Sequence, residues 1–172
     1  GEMEPEQINQ MNEDLSKIYY DLFNVSSIGL RFFTVYGPWG RPDMAYYKFT
    51  DRIINNKPID VYNNGDHSRS FTYIDDVIDS IYKLYQFYDC NESFNDLYNI
   101  GGGESVNLNR FISIIEKLCG KDAIKKYIPK QTGDVKDTYA NCEKIFKKIN
   151  YKPSTDIDVG LSSFYNWYKQ FR

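Results

Sequence analysis

The 172-residue chain balances 21 Lys and Arg against 24 Asp and Glu, giving a net charge of −3 and a pI near 5.2, with 41% hydrophobic residues. That acidic balance lacks the cationic footprint a phosphate backbone requires, so the 16 Tyr, 11 Phe and 2 Trp are not read as base-stacking groups and no nucleic-acid partner is expected. Cys90, Cys119 and Cys142 are widely spaced with only His67 to join them, which excludes a disulfide framework and a zinc site; no metal is expected.

The content of apolar residues suits one domain spanning 1–172. No apolar run approaches the length of a membrane span and no cleavable signal opens the sequence, so no membrane partner and a cytoplasmic location are expected. Residues 5–23 predict a helix: Ile8, Met11, Leu15, Ile18 and Leu22 recur at spacings of three and four, with Pro5 suited to the first turn. The same stripe is the seam of a two-helix contact, so the helix reads either as core-facing or as pairing with a partner chain.

Residues 28–36 predict one buried strand, after which Gly37, Pro38, Gly40 and Pro42 forbid both helix and ladder. A loop leaving the carboxyl end of a buried strand is where open α/β sheets place ligands, and this one carries Arg41, with hydroxyls at Thr34 and Tyr36. A helix is expected over 45–56, a short strand over 59–62, a turn at Asn63-Asn64-Gly65-Asp66 and a strand over 68–73. Tyr62 and Arg69 thus flank one turn, as in a hairpin, and are expected to reach the same site.

Asp75 or Asp76 is expected to cap a helix presenting Val77, Ile81, Leu84, Tyr85 and Tyr88. A polar loop over 89–95 and a strand over 97–100 follow. Gly101-Gly102-Gly103 lacks the third glycine of a dinucleotide fingerprint, because Val106 stands there, and reads as a plain turn. A helix from near Asn107 buries Leu108, Phe111, Ile112, Ile115 and Leu118; a strand at 124–128 and a polar loop at 131–134 come next. Asn141 is expected to cap a helix through Ile149, and Asp158 a last helix whose Leu161, Phe164, Tyr165, Tyr168 and Phe171 form a wide apolar face needing a covering partner.

The seventeen residues Gly29-Leu30-Arg31-Phe32-Phe33-Thr34-Val35-Tyr36-Gly37-Pro38-Trp39-Gly40-Arg41-Pro42-Asp43-Met44-Ala45 closely resemble a segment of the UDP-glucuronate 4-epimerases, members of the extended short-chain dehydrogenase/reductase family. Lys57-Pro58-Ile59-Asp60-Val61-Tyr62, Arg69-Ser70-Phe71-Thr72-Tyr73-Ile74-Asp75-Asp76, Tyr98-Asn99-Ile100-Gly101 and Gly133-Asp134-Val135 follow in the family's order. The Trp39 to Ala45 continuation favours the epimerases over the related sugar-nucleotide dehydratases. The resemblance runs from about residue 12 to the C-terminus and corresponds to the second half of such an enzyme.

It implies an α/β chain that is the C-terminal part of a Rossmann-type fold, the last sheet strand plus a substrate-binding α/β subdomain, without the N-terminal dinucleotide-binding half. Residues 1–44 would be the remnant of the Rossmann half and 45–172 the nucleotide-sugar subdomain. NAD belongs to the full-length family, and none is expected to bind this chain alone. The family's base is a tyrosine with a lysine four residues later; counting back from Gly29 puts Pro5 and Asn9 at those positions, so no catalytic residue is expected. Tyr165 and Lys169 have the same spacing but lie outside the family's register.

The resemblance assigns the substrate grip to Thr34 and Tyr36 at the strand end, Arg41 near the sugar or diphosphate, Tyr62 beside uracil, Arg69 on the diphosphate and Asp134 on the ribose hydroxyls. The sequence departs from the family at Ser70 and Asn141, each commonly aspartate there. Arg31, within the apolar run, reads as structural. Expected partners are a UDP-sugar, bound weakly, and either a missing Rossmann half or a second copy through the helix 5–23. The alternatives are a non-catalytic nucleotide-sugar-binding or dimerising module, or a fragment of a related NDP-sugar 4,6-dehydratase.

Overall fold

The computed structural model describes residues 5–88, 93–102, 105–129, 137–138 and 141–171. Helix α1 (Pro5–Phe23) leads into β1 (Ser27–Phe32) and β2 (Thr34–Tyr36), then α2 (Ala45–Ile54), β3 (Ile59–Tyr62), a 3-10 turn (Asn63–Gly65), β4 (Ser68–Tyr73) and α3 (Ile74–Phe87). The second part comprises β5 (Asn95–Ile100), β6 (Ser105–Asn107), α4 (Leu108–Cys119), β7 (Lys125–Ile128), β8 (Asp137–Thr138), α5 (Glu143–Ile149) and α6 (Ile157–Phe171).

The single strand expected over 28–36 is two strands in two sheets. β1 pairs in parallel with β5, Gly29 opposite Leu97, and the Phe33 amide donates to the Ile100 carbonyl at 3.2 Å. One residue later β2 pairs in parallel with β4, Thr34 opposite Phe71 and Tyr36 opposite Tyr73. β4 also takes β6 antiparallel and β8 in parallel, whereas β3 pairs in parallel with β7. β1 is half-buried rather than buried, and exposed Arg31 makes a bidentate pair with Glu13 at 2.6 Å, tying the strand to α1.

Because alternate strand residues face opposite ways, β2 and β4 separate two cores. Tyr36 and Phe71 face the larger one with Tyr46, Phe111, Leu161 and Phe164, where Phe71 stacks on Phe111 at 4.6 Å. Val35 and Phe33 pack against the other, built on Val77, Leu84, Tyr98, Ile100 and Ile145. The terminal helix therefore does not await a partner along its whole apolar face. Its Leu161, Phe164 and Tyr168 are buried within the chain, leaving Phe171 exposed and Tyr165 half-buried.

Three expected helix features are corrected. Neither Asp75 nor Asp76 caps α3, whose N-cap residue is Tyr73; Asp76 is buried and accepts from the Tyr151 hydroxyl at 2.9 Å and the Thr155 amide at 3.0 Å. At α6 it is Asp156, not Asp158, whose carboxylate accepts the Asp158 amide at 2.8 Å, because a capping side chain must precede the first turn. Tyr85 points to solvent rather than joining the α3 core face. Asn141 does accept the Glu143 amide at 3.1 Å ahead of α5, and Asn107 caps α4 through the Asn109 amide at 2.9 Å.

Replacing Asp76 with alanine leaves two donors without their acceptor and is expected to destabilise the chain by about 1–3 kcal/mol. Urea unfolding of the wild type and Asp76→Ala checks this, and a loss under about 0.5 kcal/mol, the level of an ordinary surface change, would contradict it.

Candidate functional site

β2 ends at Tyr36, and the chain then runs through a loop whose shape is set by close contacts. Gly37 has φ +141°, and a side chain there would meet Ile74 Cγ2 at 2.6 Å. A Cβ on Gly40 would fall 1.8 Å from the Tyr46 hydroxyl oxygen, so only glycine lets the loop lie on that buried ring. The Arg41 carbonyl accepts the Met44 amide at 3.2 Å, just before α2 begins.

Arg41 itself is solvent-facing, its side chain 76% exposed, with Asp43 at 3.1 Å and Met44 Sδ at 3.8 Å. An exposed pair of this kind contributes little to stability, so the guanidinium remains available to an anion. Thr34 sits opposite Phe71, and Arg69 lies two residues before Phe71 on β4; the register therefore directs Thr34 and Arg69 to one sheet face. Arg69 is half-buried, and its Nη1 donates to the Ser68 carbonyl at 3.3 Å.

Tyr36 shares that face but lies in the core rather than beside open space. Its ring is 2% exposed, packed edge-on to Tyr46, Phe71 and Tyr73, and its hydroxyl rests against Gly160 without a hydrogen-bond partner among the described residues. Burial raises its pKa well above the ordinary phenol value, with Asp76, Tyr73, Asp156 and Asp158 adding in the same direction. Burial likewise raises Tyr46, with Arg41 opposing and Asp43 reinforcing. Neither phenol is suited to accept a proton as phenolate near neutral pH.

Tyr62 and Arg69 do not form the expected hairpin. β3 turns to β7 and β4 to β2, β6 and β8, so the two residues lie in separate sheets joined by the turn. That turn has the left-handed backbone its Asn and Gly residues favour, with φ 49° at Asn63, 52° at Asn64 and 77° at Gly65. Asn109 donates to the Asn64 carbonyl and Asn107 to the Gly65 carbonyl, each at 3.2 Å, fixing how β3 passes to β4. Their supporting role has no signal in the sequence beyond Asn107 standing at a helix start. Asp134 lies outside the described residues.

The glycines after β5 do not form a dinucleotide cradle. Beyond Gly101 and Gly102 lies a strand, β6, rather than a helix N-terminus, and the open side of Gly102 is filled by the Phe146 ring, 2.5 Å from where a Cβ would stand. Tyr165 and Lys169 face each other as ammonium over ring at 4.7 Å, while burial, followed by Cys119, moves the Tyr165 phenol upward in pKa, opposite to what a catalytic base needs. Among the described residues no group of His, Cys, Asp and Glu could hold a metal, and no helix is long and apolar enough to cross a membrane.

Parallel strands with helical crossovers, and a cationic loop at a strand's carboxyl end, define this as a mixed α/β chain of the Rossmann-like extended type. The chain belongs to the NAD dependent epimerase/dehydratase family, whose model matches residues 9–101. It is 43% identical to Protein CapI of Staphylococcus aureus, covering 93% of this chain and 52% of CapI, and 37% identical to a UDP-glucuronate 4-epimerase of Thermodesulfobacterium geofontis, covering 92% and 48%. The crystal structure of a UDP-glucuronic acid 4-epimerase from Bacillus cereus, in complex with UDP-glucuronic acid and NAD, superposes with a TM-score of 0.83 at 33% identity, over 93% of this chain and 50% of the other. The chain thus spans about half the length of the relatives it matches.

Gly40→Ala is expected to cost about 1–3 kcal/mol, the usual penalty of overpacking, because the buried Tyr46 ring cannot retreat without disturbing Phe164 at 4.8 Å. Urea unfolding measures it; a stability equal to wild type would show that the loop does not need its close seat on Tyr46.

Proposed function

We propose that this chain is the substrate-binding portion of a nucleotide-sugar 4-epimerase that interconverts UDP-glucuronate and UDP-galacturonate for polysaccharide synthesis. The observation that carries this is Arg41, an exposed guanidinium on the strand-end loop, in a family whose solved member holds UDP-glucuronic acid. Its planar fork matches a carboxylate or a diphosphate. Thr34 lines the strand leading to it, Arg69 takes the diphosphate, Tyr62 covers the uracil and Asp134 accepts from the ribose. Tyr36, being in the core, supports the strand instead of touching the ligand.

In this reading the hydride chemistry and NAD belong to a dinucleotide-binding half outside this sequence, for which residues 1–44 form the seat and 45–172 supply the sugar-nucleotide side. β1 is hydrogen-bonded on one side only among the described residues, to β5, which leaves an edge for a further parallel strand. With Pro5 and Asn9 at the family's tyrosine and lysine positions, the chain alone neither binds NAD nor epimerises its substrate.

UDP is expected to bind with a dissociation constant of roughly 0.1–1 mM, about −4 to −5.5 kcal/mol, since charge-assisted hydrogen bonds are offset by ordering an open site. Calorimetric titration of the wild type and Arg69→Ala tests the grip, and equal affinity in the two would remove Arg69 from it.

The stripe on α1 is exposed from 43% at Ile8 to 69% at Leu22, with Met11, Leu15 and Ile18 between them. An apolar stripe left in water favours association, here through α1 of a second copy. Light scattering is expected to show a dimer that Leu15→Lys with Ile18→Lys returns to monomer; a monomeric wild type at high concentration would contradict this.

A further inference from the structure

Trp39 presents a problem that the substrate grip does not explain. It is a bulky residue held at φ 63°, a left-handed conformation unfavourable for such a side chain, and 75% of its surface stays in water. Burial therefore cannot be its main contribution. What holds it is the far end of α6: its ring centroid lies 5.4 Å from that of Trp167 and 5.1 Å from that of Phe171, and those two rings are 5.8 Å apart. The three form an aromatic clasp, closed between the loop and the last turns of the helix.

The clasp sits where the loop is otherwise free. Gly37 is fixed against Ile74, Gly40 against Tyr46, and the Arg41 carbonyl against the Met44 amide, but Pro38 has no amide hydrogen to donate and Trp39 must bridge between the two glycine seats. Trp167 is itself anchored, packed on Phe164 at 5.8 Å and Tyr47 at 6.4 Å in the larger core. Arg41, two residues beyond Trp39, has no rigid partner, because its neighbours Asp43 and Met44 belong to the same loop.

From this geometry we infer that Trp39 is a positioning residue: by clasping Trp167 and Phe171 it ties the substrate loop to α6 and sets where the Arg41 guanidinium is held for the acidic sugar. The assignment rests on the proposed role of Arg41. An unpinned loop would have to be ordered at each binding event, and the clasp removes the backbone's share of that entropic cost in advance. The strained backbone is consistent with such a device, since an unfavourable conformation persists only where surrounding contacts over-determine it.

The test has an arm that needs no ligand. In the 172-residue chain, Trp39→Ala is expected to raise hydrogen exchange at the Met44 amide, which the Arg41 carbonyl holds, by about tenfold or more, with β4 unchanged, and Trp39→Phe to restore most of the protection by keeping a ring on Phe171. Unchanged exchange in Trp39→Ala would overturn the clasp. In the second arm, calorimetry compares UDP-glucuronate with UDP. Trp39→Ala and Arg41→Ala should each weaken UDP-glucuronate about tenfold while leaving UDP nearly unaltered. If Arg41→Ala loses the preference for the acidic sugar and Trp39→Ala retains it, the positioning role is refuted though Arg41 keeps its own. A wild type that binds neither ligand would instead overturn the proposed function, and the exchange result would then decide the clasp by itself.

Discussion

The structure depends on one change of partner, made between Phe32 and Thr34. Up to Phe32 the backbone is committed to β5, and the Phe33 amide makes the last bond of that ladder; from Thr34 the same run is committed to β4. An extended chain can switch sheets so abruptly only if both ladders demand it: the β1–β5 ladder packs on the smaller core through Leu30, Tyr98 and Ile100, while the β2–β4 ladder lies between the two cores. Phe33 and Val35 belong to one, Tyr36 to the other. The site loop follows directly from this switch, because β2 lasts only three residues before Gly37 turns the chain outward.

The loop illustrates how buried aromatic rings can shape an exposed segment. Tyr46 is buried, yet its hydroxyl forms the floor on which Gly40 lies, and Tyr36 does the same for Gly160 of α6. Two glycines on different elements thus allow backbone to approach phenol oxygen, and the rings between them, Tyr36 and Tyr46, touch edge-on at 6.3 Å. The hydroxyl of Tyr36 has no partner among the described residues, and its burial keeps it neutral. Its ring is a packing element whose polar end is tolerated in exchange for filling the space beneath α6.

Polar ties elsewhere act at longer range. Asp96 joins the Tyr88 and Tyr98 hydroxyls to the Lys144 ammonium at 3.0 Å, linking α3, β5 and α5 around the smaller core. Burial acts to raise the Asp96 pKa, but the hydrogen bonds from Tyr88 and Lys144 prevail and hold it below the ordinary carboxylate value. Its contribution is accordingly present above the unfolded pKa and fades as pH falls through the lowered one. Arg31 and Glu13 play the equivalent part for α1 and β1 on the open side, where the apolar stripe of α1 has nothing to cover it among the described residues.

Much of this chain was legible from local chemistry. Asn63-Asn64-Gly65 had to turn, because those residues tolerate positive φ; Asn107 and Asn141 suited helix starts; Gly101-Gly102 read as a plain turn; and Arg31, inside an apolar run, read as structural, the role it takes in its pair with Glu13. The motif from Gly29 to Ala45 pointed to the family that the comparisons establish. Long-range pairing was not legible. Period-two patterning gives a strand its faces but not its neighbours, so nothing local distinguishes a 28–36 strand from two strands split at Phe33, or a Tyr62–Arg69 hairpin from strands in separate sheets. An apolar face on α6 gives no indication of whether the chain itself or another molecule will cover it. Trp39, Trp167 and Phe171 come together only because α6 crosses the end of β2, a proximity that tertiary packing alone decides.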